Sequence, residues 1–349
     1  MNDLNKKDKN KTVFNSFVSF NSNYYPNQSS KPMGLINDYV EFMNDSYNLM
    51  KCSSNESYRQ PFWSDFFHSI INLCRMNNYY RTEFVYIIAT LCVISLIRYL
   101  IFDVICDILV SNGFVLEKHR NKFCHDFWIF IFRTPLYLLA WNIYNETDTF
   151  ENMGNVHMII PFKIRFLYLI SISEYIHSTG LLLFGYHHDK DAPVWIIHHL
   201  IGVLILILSY IIRQHLFIVA GIFMMEITDI FVFSKFALKL QIHLLQKYIN
   251  HVRIIFFSIS LFVWCFSRLY AYPLILSPPL MKNFYQLCHL ERGSIYLFLH
   301  GLSIFIHITN IYWTFTLAKV TLILIRKGSA TNIEDAREFD FTIDEKKIH

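Results

Sequence analysis

The sequence predicts an all-α, polytopic membrane protein with about seven transmembrane helices. Three observations carry this. Of 349 residues, 54% are hydrophobic and 17% aromatic, and the mean hydropathy is +0.31, whereas a soluble domain is about 45–50% apolar. The apolar excess is gathered into runs that reach the roughly 20 residues a helix needs to cross hydrocarbon. The net charge is only +4, and the basic residues lie between the runs. That is the pattern of membrane orientation and argues against nucleic-acid binding.

Taken in order, residues 1–60 are rich in Asn, Lys and Ser and read as a disordered tail without a cleavable signal peptide. Its sequons, Asn27-Gln28-Ser29 and Asn55-Glu56-Ser57, are expected by chance in such composition. From Pro61 to Met76 the aromatic face of Phe62, Trp63, Phe66 and Phe67 suits an interfacial helix too short to span. Seven spans are then expected near 84–102, 123–144, 164–186, 193–212, 216–236, 252–276 and 295–318. Residues 61–115 thus form an entry segment with the first span, 116–325 a six-span domain, and 326–349 a tail.

Orientation follows the basic residues near span ends. Arg75, Arg81, Lys163, Arg165, Arg213, Lys282 and Arg292 fall on one side. The larger set falls on the other: Lys118, Arg120, Lys122, Lys190, Lys235, Lys239, Lys247, Arg253, Lys319, Arg326 and Lys327. The second side is read as cytosolic, the first as lumenal. The C-terminal Lys346-Lys347-Ile348-His349 is then a cytosolic K-K-x-x ending, an address for retrieval to the endoplasmic reticulum membrane. The cysteines show no metal spacing, and Cys92, Cys106, Cys124 and Cys265 read as apolar filler. No metal and no bound cofactor are expected.

The chemistry-bearing residues lie in two adjacent spans. His198 and His199 sit in one, Glu226 and Asp229 in the next. Ionisable groups at bilayer depth persist where they face a cavity, a partner or a substrate. At 1.5 Å per residue, His198 lies roughly 7–8 Å and Asp229 roughly 10 Å from the same membrane face. The short link at Arg213-Gln214-His215 makes the spans antiparallel neighbours, so the two pairs should meet. Glu226 and Asp229 share a helix face, whereas His198 and His199 point about 100° apart. One His could act as base or nucleophile while a carboxylate orients the other. A His with carboxylate support suits acyl transfer to an amine or hydroxyl, and the membrane setting implies lipidic reactants. Glu174 is a further intramembrane acid without an assigned partner.

These residues resemble the Lag motif of ceramide synthases, a branch of the TLC-domain superfamily. The motif is a double His, a Ser-aromatic pair about ten residues on, then H-D-x-S-D. Here it reads His198-His199, Ser209-Tyr210 and Met225-Glu226-Ile227-Thr228-Asp229. Lys122-Phe123-Cys124 with Trp128 and Phe130, Ser267-Arg268-Leu269 with Pro273, Trp313, and Glu334-Asp335-Ala336-Arg337 are similar to further family segments, so the resemblance covers 116–340.

The resemblance implies a helical barrel of six spans enclosing a cavity. It implies an N-acyltransferase that joins fatty acyl-CoA, as co-substrate, to a sphingoid base, giving ceramide or dihydroceramide. His198, His199, Asp229 and Glu226 would be catalytic, and Arg268, Ser209, Tyr210 and Thr228 would bind substrate. Arg268, by its depth, is also read as the ion-pair partner of a buried acid. Lys118, Arg120, Lys122, Lys235 and Lys239 would attract the CoA phosphates. The partners are the two substrates and membrane lipids; a homo- or hetero-dimer is left open. Met225 departs from the family's second-motif His and cannot carry a proton. His177 or His307, in other spans, could stand in for it. The alternatives are a non-catalytic TLC-domain protein that binds, transports or senses lipid, and a seven-span receptor or channel.

Overall fold

A computed structural model describes residues 62–76, 80–147, 160–184, 192–276 and 293–327. The N-terminal tail, Lys190, Lys282, Arg292 and the C-terminal tail with Glu334–Arg337 and the Lys-Lys ending lie outside the described residues. Among those described, the regular structure is helical, apart from an isolated bridge between Val115 and Leu240.

Helix α1 covers Phe62–Met76. Its Phe66 is buried and meets Phe298 at a tilt of 60° with ring centroids 4.9 Å apart, while Trp63, Phe67 and Ile71 stay exposed. Helix α2 runs Tyr80–Ile97, widens to a π-helix at Arg98–Phe102 and continues as α over Asp103–Ser111. The helix passes the expected end at 102 and carries two acids, Asp103 and Asp107. Each is neutralised locally: Arg98 bonds Asp103 at 2.6 Å, and Arg120 bonds Asp107 at 2.6 Å. Arg98 and Asp103 are five apart, the spacing that a π-turn brings into register.

Helix α3 spans Arg120–Glu146, about 40 Å at 1.5 Å per residue. Among the described residues, six helices are long and apolar enough to cross a membrane, and α3 is not one of them. It has the length, but its buried face carries Asp126 and Arg133 among Phe123, Trp128 and Leu136. Two charged groups thus lie within a buried face that is otherwise apolar. Helix α4 is Phe162–Leu183, and α5 is Ala192–Ile211. Helix α6 is His215–Phe233, followed by a 3-10 segment at Ser234–Lys239. The turn between α5 and α6 reverses the chain through Arg213 at φ 64°. Helix α7 is Ile249–Trp264, continued by a π-helix at Cys265–Leu276. Helix α8 is Gly293–Lys327. It passes the expected end at 318 because exposed Lys319 is a good helix former and does not stop it.

Packing closes six helices into a ring in the order α3, α4, α5, α8, α7, α6 and back to α3. This is the helical barrel. Helix α2 lies outside it, against α4 and α3, and α1 rests on α8 and α5. Burial agrees: 67% of the apolar window in His215–Lys239 is buried, against 11% in Thr82–Ser111. The first span therefore faces outward, and α6 is a central wall.

Candidate functional site

Each of the six ring helices sends a polar group into the shared interior. Helix α3 contributes Arg133, buried with 3% exposure. Its guanidinium reaches Glu174 of α4 at 2.7 Å, Glu226 of α6 at 2.5 Å and Asp229 at 3.8 Å, and lies 4.7 Å over the Tyr175 ring. A buried arginine needs its donors filled by anions, because each unpaired charge there is costly. Glu174 thereby acquires a partner. Helix α4 and helix α5 approach closely beside this cluster: a Cβ on Gly202 would stand 3.3 Å from Tyr175 Cε1.

Arg268 comes from the π-helix that continues α7. It donates to Asp229 Oδ1 at 2.7 Å, to Thr228 Oγ1 at 2.7 Å, to the Met225 carbonyl at 3.0 Å and to Asn310 Oδ1 of α8 at 3.4 Å. The guanidinium also lies 4.8 Å over Trp264. Its expected ion pair with a buried acid is thus present, and π-turns of this sort recur at functional sites. Ser267, its neighbour, donates to the Met224 carbonyl and ties the π-helix to α6.

The histidines lie beside this network. Their ring centroids are 6.1 Å apart. His198 Nδ1 is 3.2 Å from Thr309 Oγ1 of α8, and its ring meets Trp313 edge-on at 4.8 Å. His199 packs edge-on against Tyr175 at 5.3 Å and Trp195 at 5.8 Å. Its Nδ1 is buried with no hydrogen-bond partner among the described residues. The expectation that a carboxylate orients one imidazole is not met by this arrangement. The arginines hold the acids, since a guanidinium offers charge and a five-donor fork that a neutral imidazole lacks.

Three pockets border these groups. One of about 600 Å³ is lined by His198, Gly202, Leu206, Phe217, Met225 and Arg268 and is mostly apolar. A second, of about 620 Å³, meets His199, Arg133, Asp229, Lys122, His125 and Lys235. A third, of about 650 Å³, lies among Asp229, Trp195, Trp264, Trp313 and Phe257.

Not every expected site residue belongs here. Thr228 does, through Arg268. Ser209 donates to its own helix at the Ile205 carbonyl, 2.6 Å away, and Tyr210 donates to Glu83 at 3.1 Å. Eleven to twelve residues along α5 from His198 is roughly 16–18 Å, so both sit at the far end of the barrel. His177 turns outward to Ser95 of α2 at 3.1 Å, and His307 stacks on Tyr272 at 6.3 Å. Among the basic residues expected to draw phosphates, Lys239 reaches buried Asp126 at 2.6 Å, Lys235 reaches it at 3.7 Å, and Arg120 pairs with Asp107. Sequence reasoning passed over Arg133 and Thr309. Arg133 had a signal, a charge in the middle of an apolar run, the same signal that marked Arg268. Thr309 had none.

The model of the TLC domain matches residues 122–319. The chain belongs to the TLC-domain family. Ceramide synthase 1 of Homo sapiens is 26% identical over 194 residues, and ceramide synthase 1 of Mus musculus is 27% identical over the same length. The aligned part is 52% of this chain and 52% of each relative, so the chain spans about half the length of the curated relatives it matches. These relatives agree with the resemblance of residues 198–229 to the ceramide synthase branch of the superfamily.

Proposed function

We propose that the protein is a ceramide-synthase-like N-acyltransferase of the endoplasmic reticulum membrane. It transfers the acyl group of a fatty acyl-CoA to the amine of a sphingoid base, giving ceramide or dihydroceramide, with its C-terminal tail in the cytosol. One observation carries the reading: all six ring helices converge polar groups on one interior where His198 borders an apolar pocket and His199 a polar one. The apolar pocket suits a single alkyl chain. The polar pocket carries Lys122, Lys235 and Arg133 against Asp126 and Asp229, and Lys122 is its cation for the approach of a phosphorylated donor.

His198 or His199 removes the amine proton as the C–N bond forms and the thioester C–S bond breaks, and the proton leaves on the coenzyme A thiol; or the imidazole takes the acyl group first with release of the thiol and passes it to the amine. Three carboxylates, Glu174, Glu226 and Asp229, face two guanidiniums, Arg133 and Arg268. Thr228 and its neighbour Asp229 are both held by the Arg268 guanidinium. Met225 adds thioether surface to the His198 pocket, and its carbonyl serves Arg268.

The test is conversion of labelled sphinganine and a panel of acyl-CoA lengths by microsomes expressing the chain. N-acyl product is expected with the unaltered protein and not with His198→Ala or His199→Ala; product undiminished in both variants would remove the histidines from the reaction. The second reading, a lipid-binding, transporting or sensing TLC-domain protein, is favoured by Met225 and by acids already locked to arginines. It expects copurifying lipid and no transfer from any acyl-CoA.

A further inference from the structure

The two histidines are held differently, and the difference lies in one hydroxyl. Thr309 Oγ1 is 2.8 Å from the Ile306 carbonyl of its own helix and 3.2 Å from His198 Nδ1. Both residues are buried, at 6% and 7% exposure. A threonine hydroxyl has one proton to give and lone pairs to receive. If that proton goes to the Ile306 carbonyl, Thr309 can only accept from His198, whose Nδ1 must carry the hydrogen. Two hydrogen bonds then form. If the proton goes to Nδ1 instead, only one forms and the carbonyl contact is lost. Buried polar groups settle in the arrangement that satisfies more of them. The edge-on contact with Trp313 and the stack of Trp313 on Trp195 at 4.1 Å hold the imidazole in that plane.

We infer that Thr309 is a positioning residue that fixes His198 as its Nδ1–H tautomer and leaves the Nε2 lone pair as the basic nitrogen offered to the pocket. A neutral imidazole with its second nitrogen anchored is the usual form of a base or nucleophile. His199 lacks such an anchor at Nδ1 among the described residues. The inference therefore assigns the reacting role within the His pair to His198, and it rests on the acyl-transfer reading for that role. The tautomer itself does not depend on it.

The experiment compares the full-length protein with Thr309→Val, which keeps shape and removes the acceptor, and Thr309→Ser, which keeps the hydroxyl. Two readouts are taken. Carbethoxylation of His198 by diethyl pyrocarbonate, followed by peptide mass spectrometry, reports the free ring nitrogen without requiring any turnover. It should slow about ten-fold in Thr309→Val, the size of one lost hydrogen bond, and return in Thr309→Ser, with other histidines unchanged as internal controls. N-acyl transfer should lose kcat by the same factor with KM unchanged, again rescued by Ser. Unchanged His198 modification in a folded Thr309→Val protein overturns the tautomer assignment. Equal loss in Val and Ser also overturns it, because packing alone would then be responsible. Slowed modification without acyl transfer in any form leaves the tautomer standing and removes the acyl-transfer reading instead.

Discussion

The same helices carry two buried polar clusters, one at each end, and they are built differently. At the end away from the His pair, Arg165 of α4 bonds Glu83 of α2 at 2.6 Å, and Tyr210 of α5 adds a bond to the same carboxylate. Tyr168, Tyr210 and His215 pack ring to ring beside them at 5.2–5.8 Å. This cluster fastens an outer helix to the barrel wall. At the other end, Arg133 and Arg268 gather acids from α4 and α6 around the His pair, and pockets open onto the result. Polarity at depth is shared by both clusters, so it does not identify a reaction site. Convergence from all six ring helices onto pockets is what distinguishes the His end.

The comparison breaks most sharply at Arg133. Arg133→Met strands Glu174 and Glu226 without a counter-charge, and a broken buried pair costs about 3–5 kcal/mol. Loss of thermal stability in detergent and poor accumulation are expected. Arg133→Lys should recover only part, since a point charge cannot bridge two carboxylates as a guanidinium fork does; full recovery would show that charge alone suffices. Next is Glu83→Gln at the other end. It loses one ion pair with a partly exposed partner, a cost of about 1 kcal/mol. Melting temperature should fall slightly and N-acyl transfer should persist; loss of transfer at unchanged stability would make this end part of the reaction site. Smallest is Met225→His. Arg133 and Arg268 already occupy Glu226 and Asp229, so the new imidazole finds no free acid. Transfer should change by no more than about three-fold, roughly 0.7 kcal/mol. A gain of a hundred-fold would show that the missing His limits this chain.

The sequence was most legible where hydropathy decides structure. The apolar runs, the short α5–α6 turn and the shared depth of the His pair and the acids follow from run length and helical rise. Arg268 was legible as a buried charge in need of an acid. Arg133 carries the same signal but was hidden by the run around it, where Phe127, Trp128 and Phe130 read simply as membrane. Tyr210 was misplaced because a motif gives order along the chain, and its position one helix-length from His198 puts it at the opposite end. Thr309 was illegible in principle. It sits 111 residues from His198, and only closure of the ring through α5 and α8 brings the hydroxyl to the imidazole.

The most direct measurement is acyl transfer by purified protein against its His198→Ala variant, with sphinganine and a long-chain acyl-CoA, product identified by mass and both proteins matched in melting temperature. A general base or nucleophile contributes about 10²–10⁴ in rate. Acyl chemistry at His198 requires N-acyl sphinganine from the unaltered protein and a fall of that order in the variant. Equal product from both, or none from either while lipid remains bound, would contradict it.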